Sequence, residues 1–204
     1  ISSGLVTLDG TTLTLGGGVF GGTLANGAGT GSLLKVSGET LSLSGVSTYT
    51  GTTVVDGGTL TLSGSLASSN LTVGTLATLN VTNSGLLPVV SVLDVAGTFN
   101  LFNSAVTLGT LNGISSGLVT LDGTTLTLGG GVFGGTLANG AATGSLLKVG
   151  GETLSLSGVS TYTGTTVVDG GTLTLSGSLA SGNLTVGTLA TLTVTNSGLL
   201  PVVS

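Results

Sequence analysis

A short apolar–polar–apolar triplet recurs along the chain, and its spacing restricts the fold more than any other feature. Every second triplet returns at a nearly constant interval, as shown by the positions of Leu41, Leu60, Leu79, Phe99 and Leu118. Alternating apolar and polar residues are typical of a half-buried strand, and turn-forming Gly, Asn, Asp or Ser bound each triplet. The spacing predicts an all-β fold, a parallel β-solenoid (β-helix) with rungs of about 19 residues.

The chain also repeats on a longer scale. Residues 1–91 recur as residues 114–204, with four small or polar exchanges: Gly29/Ala142, Ser37/Gly150, Ser69/Gly182 and Asn80/Thr193. We predict one continuous β-solenoid over 1–204, with unit one at 1–113 and an incomplete unit two at 114–204. The units should be related by a screw along the axis, without a linker. Six such rungs come close to the length of one unit, and we expect the chain to be an excerpt of a longer tandem array.

Other all-β folds fit this spacing less well. A sandwich or barrel should contain antiparallel hairpins with two-residue turns. Asp9-Gly10 and Asp56-Gly57 precede strands, but a meander gives no reason for such a regular return. Within the solenoid, we expect Leu41, Leu60 and Leu79 to form one inward stack.

Composition excludes several classes of function. Among 204 residues there are 2 Lys or Arg, 7 Asp or Glu, and no His or Cys. The chain therefore lacks the commonest general base and metal ligand and all thiolate chemistry. Two cations cannot neutralise a nucleic-acid backbone. The longest apolar stretch, 86–96, is well short of the roughly 20 residues of a spanning helix. We predict no enzyme activity, no cofactor, no nucleic-acid partner and no membrane insertion by this segment.

One segment of each unit resembles a known family. Residues 38–73 read GETLSLSGVSTYTGTTVVDGGTLTLSGSLASSNLTV, the run returns at 151–186, and GSLLKVSG precedes it at 31–38. The order of these sub-motifs is similar to the autotransporter-associated β-strand repeat of bacterial passenger domains. The resemblance implies a right-handed parallel β-helix, exported by the type V route, on a very large protein. It also implies an extracellular or bacterial cell-surface location.

Two glycine-rich segments superficially match catalytic or binding motifs. Gly113 to Gly117 fits the G-x-S-x-G pattern of a nucleophile elbow, which needs a His base and a strand–turn–helix context. Gly27, Gly29 and Gly31 suggest a phosphate-cradling loop, which needs a following helix N-terminus. Because the chain has no His and no predicted helix, we interpret both segments as turns.

The acidic residues suggest a paired site. The separation of Glu39 and Asp56 in the sequence is close to one rung, so the two could form a general acid–base pair or a loose calcium site. Asp-Gly turns explain Asp9 and Asp56 without any site chemistry, and this interpretation is favoured. We therefore predict no catalytic, cofactor-binding or metal-binding residues.

Threonine and tyrosine offer two further hypotheses. Thr12/Thr14 and Thr59/Thr61 alternate with leucines and should face outward, as in the threonine rows of some ice-binding β-solenoids. Tyr49 and Tyr162 could stack against carbohydrate, but a corner position with the hydroxyl reaching solvent is favoured. Phe99 and Phe102 are expected at core and corner positions.

The sequence thus favours a structural or adhesive segment of a long repetitive bacterial cell-surface or extracellular fibre, acting as a stiff stalk or a self-associating filament. The expected partners are other copies of itself, end-to-end or lateral, and also cell-surface glycans or other cells. The alternatives are an ice-binding β-solenoid and a carbohydrate-binding β-helix.

Overall fold

The computed structural model describes residues 3–82, 87, 90–103, 105–195 and 200. Within these ranges the regular elements are all β-strands, and every strand pairing is parallel. The strands are β1 (Leu5–Thr7), β2 (Thr12–Leu15), β3 (Gly18–Phe20), β4 (Thr23–Ala25), β5 (Ser32–Lys35), β6 (Thr40–Leu43), β7 (Thr52–Leu62), β8 (Asn70–Val81), β9 (Val90–Val95), β10 (Thr98–Phe102), β11 (Val106–Gly113), β12 (Leu118–Asp122), β13 (Thr125–Phe133), β14 (Thr136–Asn139), β15 (Ser145–Lys148), β16 (Thr153–Leu156), β17 (Thr165–Val168), β18 (Gly171–Leu175), β19 (Asn183–Val186) and β20 (Ala190–Val194).

The chain coils into a β-solenoid of about nine turns, which confirms the predicted fold class. Each turn contributes to three faces. Face A contains β2, β5, the first parts of β7 and β8, β9, the second parts of β11 and β13, and then β16, β18 and β20. Face B contains β3, β6, the second parts of β7 and β8, β10, β12 and β14. Face C begins with the pair β1–β4 and contains, in unit two, the first part of β13, β15, β17 and β19. The right-handed coil implied by the resemblance stays a prediction.

The interior is a set of stacked aliphatic columns. Leu41 pairs with Leu60, Leu60 with Leu79, and Leu79 with Phe99, and each of these side chains is at most 2% exposed. The predicted inward stack is therefore confirmed, because alternation along each strand directs every second side chain to the same side.

Beyond the three predicted leucines, the inward stack continues through Phe99 and Val119 and not through Leu118. Phe99 pairs with Val119, which is fully buried, whereas Leu118 pairs with Thr98 and is half-buried. Leu118 therefore belongs to the outer surface of β12. Register along a strand has a period of two, so a shift of one residue exchanges the two surfaces. Phe99 and Phe102 fit their expected positions, since Phe102 is 39% exposed.

Strand pairing runs through the boundary between the two units. Gly113 pairs with Val95 on one side and Phe133 on the other, and β10 pairs with both β8 and β12. The assignment of 1–204 to one domain is a prediction from the repeat, and these pairings agree with it at the boundary.

The register also shows that one unit is not a whole number of turns. Leu41, Leu60 and Leu79 lie on face B, whereas their counterparts Leu154, Leu173 and Leu192 lie on face A. Counting strand positions along the chain, one unit makes five and two-thirds turns rather than the six suggested by the spacing. Unit two is therefore turned by one face relative to unit one.

Close backbone approach between turns explains one column of glycines. A Cβ atom on Gly64 would lie 1.9 Å from the carbonyl oxygen of Gly45, and one on Gly177 would lie 1.8 Å from that of Gly158. No side chain fits at such a distance. Each unit therefore requires glycine at this position, just after a strand that ends in Leu-Thr-Leu.

Candidate functional site

A buried lysine is the main polar feature inside each repeat. Lys35 occupies an inward position of β5, between its register partners Leu15 and Val55, and its side chain is fully buried. Its ammonium group donates hydrogen bonds to the carbonyl oxygens of Val36 (2.7 Å), Ser37 (3.0 Å) and Gly57 (2.8 Å). An ammonium has three donors, so the group is fully satisfied by the backbone of two adjacent turns.

The second lysine repeats this arrangement. Lys148 donates to the carbonyl oxygens of Val149 (2.8 Å), Gly150 (3.2 Å) and Gly170 (2.9 Å). Position 150 is Gly where unit one has Ser37, and the bond is retained because its acceptor is the backbone. Each lysine therefore ties a corner loop to the next turn.

Burial dominates the electrostatics of these lysines. Desolvation lowers the pKa of Lys35 below its usual value, and the nearby Glu39 carboxylate opposes part of that effect. Burial likewise lowers the pKa of Lys148, opposed by Glu152. Both cations of the chain are thus buried, and neither is presented to an anionic partner.

The sequence reasoning missed this role, although a signal was present. In Ser-Leu-Leu-Lys, alternation from buried Leu33 directs Lys35 to the same inner side. The recurrence of the only cation at the same place in each unit was the second indication.

Each repeat also buries its tyrosine. Tyr49 and Tyr162 are 0% exposed, and their hydroxyls lie 2.6 Å from the hydroxyls of Thr53 and Thr166. Burial raises the pKa of both tyrosines well above the usual value, and the threonine hydrogen bond opposes a smaller part of that change. The expected solvent-exposed hydroxyl was wrong: the Ser-Thr-Tyr segment turns the ring inward, where the Thr53 hydroxyl is its hydrogen-bond partner. A carbohydrate platform at these tyrosines is excluded for the same reason.

The remaining candidate motifs are local structure. Asp9 accepts a hydrogen bond from the Gly29 amide (3.1 Å), and Gly31 donates its amide to the Asn26 side chain (2.8 Å). These amides are therefore already bound within the protein and do not form a phosphate cradle. In the G-x-S-x-G segment, the Gly117 amide donates to the Ile114 carbonyl (2.9 Å), as in a turn, and β12 follows instead of a helix.

Glu39 and Asp56 do not form an enclosed ligand-binding site. Both residues are exposed. Beside them, the Thr59 amide donates a hydrogen bond to the Glu39 carbonyl (3.1 Å), so the backbone there is bonded within the protein. Across the described ranges, no group of three or more candidate metal ligands comes together. In that same part of the chain, no helix has the length and apolarity to cross a lipid bilayer.

The outward face presents uncharged side chains in register. Four threonines on successive turns of face B, which we call the threonine row of unit one, are register partners: Thr40, Thr59, Thr78 and Thr98. The threonine row of unit two, on face A, consists of Thr153, Thr172 and Thr191. This confirms the outward direction predicted for Thr59.

A second row beside it is hydrogen-bonded along the axis. Asn100 donates its side-chain amide to Asn80 (2.9 Å), and the Thr120 hydroxyl donates to Asn100 (2.5 Å). These polar groups are bonded to one another, so this row stabilises the stacking of turns. In unit two, Thr193 occupies the place that Asn80 has in this row of unit one.

Comparison with known proteins points to one family. Residues 25–62 and 146–175, about a third of the chain, match the model of the Passenger-associated-transport-repeat. No curated protein and no solved structure matches the chain. Both matched segments contain the buried lysine and tyrosine described above. The match and the β-solenoid together fit the β-helix repeat of an autotransporter passenger.

Proposed function

We propose that this chain is a stiff, non-enzymatic stalk segment of a secreted or cell-surface passenger protein, with other copies of itself as partners. The observation that supports the proposal most directly is the parallel ladder that runs through the unit boundary at Gly113. In such an array each turn contacts only its neighbours, so length increases with copy number while the cross-section stays constant. At about 4.8 Å per turn, one unit extends the rod by roughly 27 Å.

The buried polar groups support a mechanical role. Lys35 joins the loop at 36–37 to Gly57 on the next turn, and Tyr49 bonds to Thr53 inside the rod. Satisfied buried polar groups fix one arrangement because leaving any of them unpaired costs free energy. The repeat therefore resists sliding and twisting of one turn against the next.

The two alternatives have less support. The threonine row of unit one fits an ice-binding surface in its spacing, but its neighbouring row is hydrogen-bonded internally through Asn100. A thermal-hysteresis measurement on the intact chain tests that alternative directly. Carbohydrate binding by stacking lacks its predicted residues, since Tyr49 and Tyr162 are buried.

The stalk proposal is tested by measuring length against copy number. Chains with one or two further repeat units should show a maximum dimension that grows by roughly 27 Å per unit in small-angle X-ray scattering extrapolated to zero concentration, where copies do not associate. The cross-sectional radius should not change. A maximum dimension that grows much more slowly, or a cross-section that grows with copy number, would contradict a single continuous rod.

A further inference from the structure

An open groove with a volume of about 300 Å³ lies where unit one passes into unit two. One side of it is a row of three register partners on successive turns of face A, which are Thr72, Asp94 and Asn112. Its floor is the corner toward face B, where Gly74 and Ala96 carry no side chain larger than a methyl group. The groove is therefore a gap left by small residues beside a polar row, and we call it the junction groove.

The first residue of unit two completes the junction groove. Ile114 lines it, and its side chain is 57% exposed. The Gly117 amide donates to the Ile114 carbonyl (2.9 Å), which fixes the backbone that carries this side chain. The Ser116 hydroxyl donates to the Ala96 carbonyl (2.8 Å), so the turn of unit two is bonded to the floor of the groove. The groove thus has its apolar wall only where one unit is followed by the next.

The charge at the junction groove is negative, and the chain does not neutralise it. Asp94 is exposed. Asp56 lies one turn below the floor, since a Cβ atom on Gly74 would lie 3.5 Å from the Asp56 Cα. The only cations of the chain, Lys35 and Lys148, are buried and donate to backbone carbonyls. Carboxylates lining a cleft raise the local concentration of cations, so the groove attracts a positively charged ligand.

The lining distinguishes between classes of ligand. Across the described ranges no three candidate metal ligands come together. An uncharged sugar gives no reason for the carboxylate, and the described lining holds no aromatic ring on which it could stack. A second copy of this chain presents no exposed cation, because both of its lysines are buried. A lysine or arginine side chain fits best, since it combines a charged head with an aliphatic stem that packs on apolar surface.

We propose that the junction groove binds a lysine or arginine side chain of a different protein, with the cationic head at Asp94 and the aliphatic stem against Ala96 and Ile114. This site goes beyond the stalk role, because it places one attachment point at each junction between units. An exposed ion pair contributes little by itself, so one side chain binds weakly. Attachment becomes strong where one partner engages several junctions of the same rod.

Nuclear magnetic resonance titration of the intact, isotope-labelled chain tests the site. The probe is the end-blocked peptide Ser-Lys-Ser-Lys-Ser, used at mildly acidic pH and low salt. Two matched peptides separate the parts of the contact: acetylated lysines keep the stem without the charge, and diaminobutyrate keeps the charge on a shorter stem. We expect the lysine peptide to shift the amide signals of Ala96 and Ile114 and to bind several-fold more tightly than either matched peptide. Equal affinity for the diaminobutyrate peptide would overturn the proposal.

Exposed side chains elsewhere on the rod supply matched control variants. Asp94→Asn should weaken binding several-fold, and Ile114→Ser should weaken it by a smaller factor without changing the charge. The controls are Asp169→Asn, which removes an exposed acid of unit two, and Val46→Ser, whose side chain is 56% exposed. Both controls should bind nearly as wild type. An equal loss in Asp94→Asn and Asp169→Asn would mean a general attraction to an acidic rod and would overturn the site.

The number of bound peptides gives a second measurement. A chain with one further complete unit contains a second junction groove and should bind a second peptide with the same affinity. A number of bound peptides that does not rise with the number of junctions would contradict the proposed location. Rod length measured by scattering does not depend on this groove. A chain that lengthens as expected but does not bind the lysine peptide would therefore refute this inference and leave the stalk role standing.

Discussion

Nearly identical segments of the two units differ in how deeply their side chains are buried. Leu79 and Val81 in unit one are 0% exposed, whereas their counterparts Leu192 and Val194 are less buried, with Val194 38% exposed. At the other end the order reverses, since Phe133 is 1% exposed while Phe20 is only partly buried. The sequence thus decides which side chains face inward, and the neighbouring turn decides how completely they are buried.

A second comparison separates local contacts from position around the rod. Lys35 lies on face A and Lys148 on face C, yet each makes the same three backbone hydrogen bonds. The Tyr–Thr distance is 2.6 Å in both units. Faces A and C therefore accommodate the same lysine contacts, and these contacts depend only on adjacent turns, as expected of a solenoid.

The largest effect should come from removing a covered core side chain. Leu79→Ala should lower the free energy of unfolding by about 3–4 kcal/mol, because it leaves a cavity between turns. Leu192→Ala should cost about half as much, since its side chain is only partly buried. Urea denaturation followed by circular dichroism measures both. Adding a further unit after residue 204 should raise the cost at Leu192 toward that at Leu79, and equal costs in the present chain would contradict the comparison.

The glycine column should respond equally in both units. Gly64→Ala and Gly177→Ala place a methyl group 1.9 Å and 1.8 Å, respectively, from a carbonyl oxygen on the previous turn. We expect a loss of about 3 kcal/mol from the forced separation. Gly38→Ala and Gly151→Ala are the controls, since nothing lies within 4 Å of a Cβ there. Thermal melts should leave the controls near wild type. A tolerated alanine at position 64 would refute the close approach.

Removing a buried lysine should lower the free energy of unfolding by a smaller amount than the glycine substitutions. Lys35→Met retains most of the side-chain volume but leaves three carbonyls without their donor, at a cost of about 2 kcal/mol. Lys148→Met should match it, because the bonds are the same. Glu39→Gln is the control, since an exposed carboxylate contributes little. Protease resistance of the corner and urea denaturation both report the change, and a neutral Lys35→Met would mean that water replaces the ammonium.

Alkaline pH should destabilise the protein through its two tyrosines. The pKa of Tyr49 and Tyr162 is raised in the folded state, whereas unfolded tyrosine has a pKa near 10. The folded chain therefore holds more protons above pH 10, and the free energy of unfolding falls as the pH rises further. Ultraviolet absorbance should show tyrosinate only as the chain unfolds. In Tyr49→Phe/Tyr162→Phe the pH dependence due to the tyrosines disappears, and each lost hydrogen bond lowers the free energy of unfolding by about 1 kcal/mol. Ionisation of the tyrosines near pH 10 without unfolding would contradict their burial.

The smallest effect should come from exchanging one natural difference between the units. Asn80→Thr introduces the residue of unit two and removes the acceptor for Asn100. We expect a loss below about 1 kcal/mol, because the Asn100 amide is half-buried and can bind water instead. Thr193→Asn is the reciprocal control and should have no measurable effect. A loss comparable to Leu79→Ala would mean that the outer row, not the core, holds the turns in register.

The sequence predicted the elements of the fold whose cause is local. Alternation fixed which residues of Leu41–Leu43 or Leu60–Leu62 face inward, and the regular return of the triplets fixed parallel stacking. The turn interpretation of Asp9 and Gly117 also rested on local chemistry, and the hydrogen bonds agree with it. The passenger-repeat resemblance followed from the order of short motifs and is confirmed by the family match.

Tertiary structure decided what depends on contacts between turns. The exact return varies from turn to turn, so the spacing alone suggested six turns in a unit, whereas the strand pairing gives five and two-thirds. The pairing also continues the inward stack through Val119 and not through Leu118. The inward Tyr49 needed its partner Thr53, and the buried Lys35 needed Gly57 from the next turn. The sequence determines which side chains of a strand point inward, because successive side chains of a pleated strand alternate between its two surfaces. Only the stacked coil determines burial, hydrogen-bond satisfaction and the face on which each unit lies, because these are properties of neighbouring turns.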